Sequence, residues 1–375
     1  MPLYLDDDQV MLRDMARDFV SDHAPVSHLR ELRNARDATG FSRGLWKRFA
    51  EMGLTGILIG ADHGGSGLGH VEAGVVLEEI GRNLSPSPFL STAVAAVAAL
   101  EGTPHADRWF SGIAAGDVVA AIAVDEGPKH NGRIAMTAQR SGNGFRLSGV
   151  KQFVNHGHVA DVILVAARTA GAADDRDGIT LFAVEGQAAR LVITPERLAD
   201  SSLAARLTFD GVEVDADAVI GEVDAGSDRL VVLLAAGRTG AAAEMLGVGS
   251  GAMDMTIGYL KQRKQFGVAI GSFQALQHRA AHLYSEMEVA RAAVLKAQQL
   301  LDAGDPDAIQ AVSIAKAMTG MASTLAVQEG IQMHGGIGMT DEYDIGFYMK
   351  RARVLVELFG DTNFHADLLA RAAGY

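Results

Sequence analysis

Cysteine is absent from the 375 residues. Its absence excludes a disulfide framework, a thiolate nucleophile and any cysteine-ligated metal. Cations are scarce beside acids: 33 Lys+Arg stand against 46 Asp+Glu, a formal charge of −13. That balance argues against nucleic acid or an anionic membrane surface as partner, because polyanions call for basic patches. It also mildly opposes any anionic ligand, whose site would need local cations or backbone donors. Met1 to Asp8 contain neither a basic n-region nor an apolar h-region, so no signal peptide is expected. The Ala/Val-rich run Thr92 to Leu100 is too short to span a bilayer. His63, His70, His156 and His158 are scattered; His156 and His158 alternate in an extended segment without nearby acids, and no metal site is expected. These absences describe a soluble, cytoplasmic chain with no membrane insertion.

Apolar residues, at 48%, are plentiful, and the length allows two or three domains, each with a sizeable core. The period of the apolar residues changes twice. Asp6-Asp7-Asp8 precede Val10, Leu12, Met15 and Phe19 at helical spacing, with acids at the positive end of the helix. Further helices are expected over Arg43 to Met52, Val71 to Gly81 and, after Pro86 and Pro88, as a buried helix to Leu100. The glycine loop Gly64-Gly65-Ser66-Gly67 is not G-x-G-x-x-G and follows no βαβ strand, so it is no dinucleotide fingerprint. Short apolar runs then replace helical spacing: Val118 to Val124, Ile134 to Ala138, Gly144 to Ser148, Val162 to Ala167, Ile179 to Val184 and Arg206 to Phe209. From about Gly226 the helical period returns over Asp228 to Gln262, Phe273 to Asp302, Pro306 to His334 and Asn363 to Ala372. The expected architecture is α+β and multidomain. An N-terminal all-α domain (1–116) precedes a central β-barrel or sandwich (117–225), and a C-terminal four-helix bundle (226–375) follows. Helices this apolar bury more than one face, which implies packing against another chain.

Two helix ends stand out. Arg263-Lys264-Gln265-Phe266-Gly267, with Gln274 beyond it, closes one long helix; Gln332-Met333-His334-Gly335-Gly336-Ile337-Gly338 closes another. Free backbone groups, an Arg and bare glycines suit a phosphate-bearing ligand. Each segment taken alone also reads as an ordinary C-cap, since glycine is the commonest helix stop. Taken with Leu147-Ser148-Gly149-Val150-Lys151-Gln152-Phe153-Val154-Asn155, they are specific: in that order, over nearly the whole chain, they resemble the acyl-CoA dehydrogenases.

The resemblance implies FAD as cofactor and desaturation of an acyl-CoA, as in fatty acid degradation, with hydride passing to the flavin. It implies that Arg263 pairs with the pyrophosphate, Phe266 packs near the adenine and Gln274 bonds to the cofactor. Gln332, Gly335 and Gly336 would approach the adenosine half held by another subunit. Phe153, Asn155 and Thr362 would lie at the flavin, with Asn155 replacing the family's hydroxyl residue. An electron-transferring flavoprotein is the implied electron acceptor.

The reaction also needs a carboxylate beside the α-proton of the thioester. The family supplies a Glu from one of two places, and here both hold glycine: Gly360, before Asp361-Thr362, and Gly237, before Arg238. Glu244, two turns beyond Gly237 and about 10 Å along the helix, is a candidate base; its other reading is a buried partner of an arginine. Asp361 is adjacent to the first place but shorter. The family's T-E-P-x-x-G-S-D-like loop is replaced by Val124-Asp125-Glu126-Gly127-Pro128-Lys129-His130-Asn131-Gly132, without the Ser-Asp. Three readings follow. The chain is a dehydrogenase, either a homo-oligomer or the base-lacking partner of a Glu-bearing subunit. Alternatively it is a flavin monooxygenase or oxidase on the same fold, or a structural subunit without catalysis.

Overall fold

The computed structural model describes residues 2–375. Two compact units divide them. One gathers the residues up to Glu31, His70–Ser85 and Arg238–Tyr375; the other holds Leu32–Gly69 and Pro86–Gly237.

In the first unit, α1 (Asp7–His23) opens on a capping box. The Asp6 carboxylate accepts from the Gln9 backbone N–H at 2.9 Å, and the Gln9 amide oxygen accepts from Asp6 N–H at 3.1 Å. The stretch from α4 (His70–Arg82) crosses the long α7 (Ser227–Gln262) on glycine. A Cβ at Gly81 would lie 2.1 Å from the Glu244 carbonyl oxygen, and one at Gly247 would lie 1.9 Å from that of Glu78. Only bare Cα atoms allow so close an approach. The bundle continues with α8 (Gln274–Asp302), α9 (Ala308–His334), α10 (Ile345–Glu357) and α11 (Thr362–Ala372). Met245, Val248, Ala252, Val327, Ile345, Phe347, Ala352 and Leu355 form its apolar core. Polar cross-ties run through it: Glu79, fully buried, accepts from Arg17 at 2.8 Å, and Arg291 reaches Glu78 at 2.6 Å. By length and composition α7 could cross a membrane, but 83% of its most apolar stretch is buried in protein, as in a core helix.

The second unit carries α2 (Val26–Ala35, whose last turn it contains), α3 (Arg43–Glu51), α5 (Leu90–Leu100) and α6 (Pro104–Ala114) around an eight-stranded sheet. The expected buried Ala/Val-rich helix is α5, which is wound as a π-helix from Leu90 to Ala96. The strands are β1 (Ala120–Ala123), β2 (Thr137–Ser141), β3 (Gly144–Asn155), β4 (Val162–Arg168), β5 (Ile179–Glu185), β6 (Leu191–Arg197), β7 (Leu203–Val214) and β8 (Val219–Ile220). The order is β6-β7-β3-β2-β4-β5-β8, with β1 parallel beside β4. The expected barrel does not close. The path ends at β6 on one side and at the two-residue β8 on the other, and these edges do not pair. Phe145, Leu147, Val165, Phe182, Val184, Leu207 and Phe209 fill the core behind it. Sequence reading missed β6 because its residues are mostly exposed and it contains Pro195, tolerated only because the strand lies at an edge.

Candidate cofactor site

The Arg263 segment folds as a miniature hairpin at the end of α7. Lys264-Gln265 (β9) pairs with Val268-Ala269 (β10) across Phe266 and Gly267, both at positive φ (55° and 82°). Two consecutive left-handed residues make the two-residue turn favoured by tight hairpins. It holds Phe266 out at 91% exposure, touched edge-on by Phe273 at 6.2 Å between ring centroids. A phenylalanine costs free energy in that conformation and gains no burial from it. Arg263 beside it is exposed, and Gln274 begins α8, also exposed.

The second helix end presents bare backbone. Gln332 is exposed in the last turn of α9, Gly335 has φ 65°, and a Cβ at Gly335 or Gly336 would meet nothing within 4 Å. Behind the turn His334 is 3% exposed, clustered with Tyr259 and Tyr343 at 4.6 and 4.8 Å between ring centroids, and its Nδ1 bonds the Gly330 carbonyl at 2.6 Å. Burial lowers its pKa, the hydrogen bond to Gly330 opposing the shift, and Nδ1–H is the donor to that carbonyl. Sequence reading passed over His334 as the anchor of the glycine turn. Its only signal was an aromatic-sized polar residue before two glycines.

The third element lies on β3. The β3–β7 register slips between Lys151 and Val154, so Gln152 and Phe153 face one residue of β7. Phe153 takes φ 54° and is 38% exposed, while Asn155 is paired with Ala204 and half-buried. Lys151, wholly buried, donates to the Val124 carbonyl at 3.0 Å and to Glu126 at 2.7 Å; the Gln152 amide donates to the Glu126 carbonyl at 2.9 Å. Glu126 in turn accepts from Ala135 and Met136 N–H at 2.8 and 3.0 Å. The Val124–Gly132 segment, lacking the expected Ser-Asp, is therefore tied to the bulge by other residues. Burial lowers the Lys151 pKa, and Glu126 opposes that shift.

The carboxylates that sequence offered as bases are engaged elsewhere. Glu244, 3% exposed, accepts from Arg351 Nε at 2.8 Å and Nη2 at 2.6 Å, the arginine partnership that was its alternative reading. Asp361 caps α11, accepting from Phe364 N–H at 2.8 Å, and Thr362 is the first residue of that helix. Gly360 has φ 111°, and a Cβ there would lie 2.5 Å from the Phe364 ring and 3.0 Å from His365 Nε2. Among the described residues no group of three or more His, Asp or Glu could hold a metal.

Within the first unit, an exposed guanidinium, an exposed aromatic and a side-chain-free turn are groups that suit phosphate and adenosine; within the second, a bulged aromatic beside an amide suits a ring. Three family models cover the chain. The acyl-CoA dehydrogenase N-terminal domain matches 6–117, the middle domain 125–212 and the C-terminal domain 224–374. The chain belongs to the acyl-CoA dehydrogenase family. As in that family, FAD is its cofactor and acyl-CoA its substrate class. Acyl-CoA dehydrogenase FadE12 of Mycobacterium tuberculosis is 30% identical, over 83% of this chain and 82% of its own length. Two solved acyl-CoA dehydrogenase-like structures are similar along nearly the full chain. The Tcur3481-Tcur3483 steroid ACAD is 30% identical with TM-score 0.89, over 98% of this chain and 99% of its own. The ChsE4-ChsE5 complex of Mycobacterium tuberculosis is 26% identical with TM-score 0.88, over 100% of both chains.

Proposed function

We propose that this acyl-CoA dehydrogenase chain works as the base-lacking subunit of a heteromeric enzyme, its mate supplying the catalytic glutamate. The observation that carries the reading is Gly360. Its backbone conformation excludes side chains, and Phe364 and His365 stand where the first carbon of one would go. The α-proton of a thioester is too weakly acidic to leave without a base placed beside it. Glu244 and Asp361 are bound to Arg351 and to the α11 backbone, so neither is a free substitute. Two neighbours whose descriptions pair two different proteins, Tcur3481-Tcur3483 and ChsE4-ChsE5, support the same assembly here.

In this reading Arg263, Phe266, Gln274, Gln332, Gly335 and Gly336 meet the pyrophosphate and adenosine half of an FAD shared with the mate. The guanidinium fork offers paired donors to phosphate oxygens. The family resemblance assigns Phe153 and Asn155, and separately Thr362, to contacts with the flavin half. FAD, when bound, accepts the β-hydride of the acyl group. The chain's own residues bind and orient the cofactor and exclude water, and the mate's carboxylate takes the proton. The test is turnover of a panel of acyl-CoAs by the chain alone and by the chain co-expressed with a Glu-bearing acyl-CoA dehydrogenase. Activity only in the second case supports the reading, and ordinary turnover by the chain alone rejects it.

A further inference from the structure

The turn that joins α10 to α11 is strained and carries two buried cations. Phe359 has φ 59° and Gly360 has φ 111°, two successive residues in a region that side chains disfavour. Phe359 is nonetheless 6% exposed and bears a full side chain. Such a conformation persists only where the surroundings over-determine it. Here the determinants are identifiable. Arg238 Nε donates to the Phe359 carbonyl at 3.0 Å. Lys316, on α9 and 1% exposed, donates from Nζ to three carbonyls: Leu355 at 3.1 Å, Val356 at 2.9 Å and Gly360 at 2.9 Å. Two of these belong to the last turn of α10, whose carbonyls have no partner within the helix, and the third is the turn itself. Protonated, the Lys316 head group has all three hydrogens engaged; it fastens the helix end to the turn that follows it. One turn along α9, Gly320 lets the helix pass against Thr362, whose Oγ1 would lie 2.4 Å from a Cβ at that glycine.

We propose that Lys316 is a positioning residue: with Arg238 it holds Phe359-Gly360-Asp361-Thr362 in the conformation that presents Thr362 to the cofactor and keeps Gly360 at its positive φ. The groups that face the ammonium are Arg238 on α7, Glu357 on α10 and Asp361 at the start of α11, and His365 lies beside Gly360. Lys316 donates to backbone carbonyls, not to either carboxylate. A lysine placed for an ion pair would reach a carboxylate; this one reaches carbonyls. The proposal rests on the reading of Thr362 as a cofactor contact.

Hydrogen exchange read by mass spectrometry on the purified full chain tests it without flavin or acyl-CoA, so it can fail while the heteromer reading stands, and the reverse. Lys316→Met removes the donors and keeps the apolar stem. The expected result is exchange in peptides spanning residues 358–366 faster by about tenfold or more. Peptides from α4 and α8 should keep wild-type rates, and Lys316→Arg should restore part of the protection. Unchanged exchange in 358–366, or a rise spread evenly over the bundle, overturns the proposal. Should Lys316→Met yield no folded chain, Arg238→Met, which frees the Phe359 carbonyl, must open the same segment; unaltered exchange there would equally overturn it.

Discussion

Lys316 shows how much a single buried group can set. Burial and the neighbouring Arg238 push its pKa down to about 7, while Asp361 and Glu357 act the other way. The folded chain therefore holds one proton fewer than the unfolded chain between about pH 7 and the ordinary lysine value of 10.5. Stability rises with pH wherever the unfolded state binds more protons, so the contribution of Lys316 grows as pH climbs through that window. Below pH 7 both states are protonated and the full cost of the buried charge is felt. Urea unfolding of wild type and Lys316→Met from pH 6 to 9 should show this slope in the wild type and lose it in the variant. Glu244 makes a second case. Its carboxylate satisfies Arg351, so Glu244→Gln should cost about 1–3 kcal/mol in urea unfolding. A turnover loss without a stability loss would return Glu244 to the role of base. That partnership was not legible from the helix alone, because the arginine lies 107 residues downstream. A lone acid in apolar sequence marks a buried charge, but its neighbours are a matter of tertiary structure.

At the scale of elements, glycine does two different things. On α4 and α7 it lets backbones touch. Gly247→Ala would place a Cβ 1.9 Å from the Glu78 carbonyl oxygen, and the helices must part. We expect about 1–3 kcal/mol of lost stability, measurable by denaturant unfolding. In the β9–β10 hairpin it sets a turn that exposes Phe266. Phe266→Ala should leave the thermal midpoint of the isolated chain within about 1 °C, since surface changes away from the core are nearly neutral. It should weaken flavin retention in the assembled enzyme. A drop in the chain's own midpoint would show that the ring packs at home. Most of the helices were legible in sequence because their apolar spacing and caps are local; the short α2 and α6 were not. The bulge that turns out Phe153 and the edge strand containing Pro195 were not, since both are fixed by strands that pair across the sheet.

At the scale of the molecule, the order helix, sheet, bundle followed from the two changes of period. Closure of the sheet did not, because a run of short strands specifies neither the edges nor the number of pairings. The motifs at both helix ends and on β3 were readable as a set, yet their use depends on surfaces that the chain exposes rather than on contacts it makes. In the proposed reading the base position is vacant, and the residues that suggest this, Gly360 and Gly237, were visible in sequence. What the fold adds is that Gly360 sits at a φ that side chains disfavour, with the Phe364 ring 2.5 Å from where a Cβ would lie. The most direct measurement is anaerobic visible absorbance of the flavin-loaded chain, purified alone, on addition of acyl-CoA. The account predicts a flavin band that acyl-CoA leaves unbleached until a Glu-bearing mate is present. Rapid bleaching by acyl-CoA in the chain alone would contradict it and point to a base within this chain.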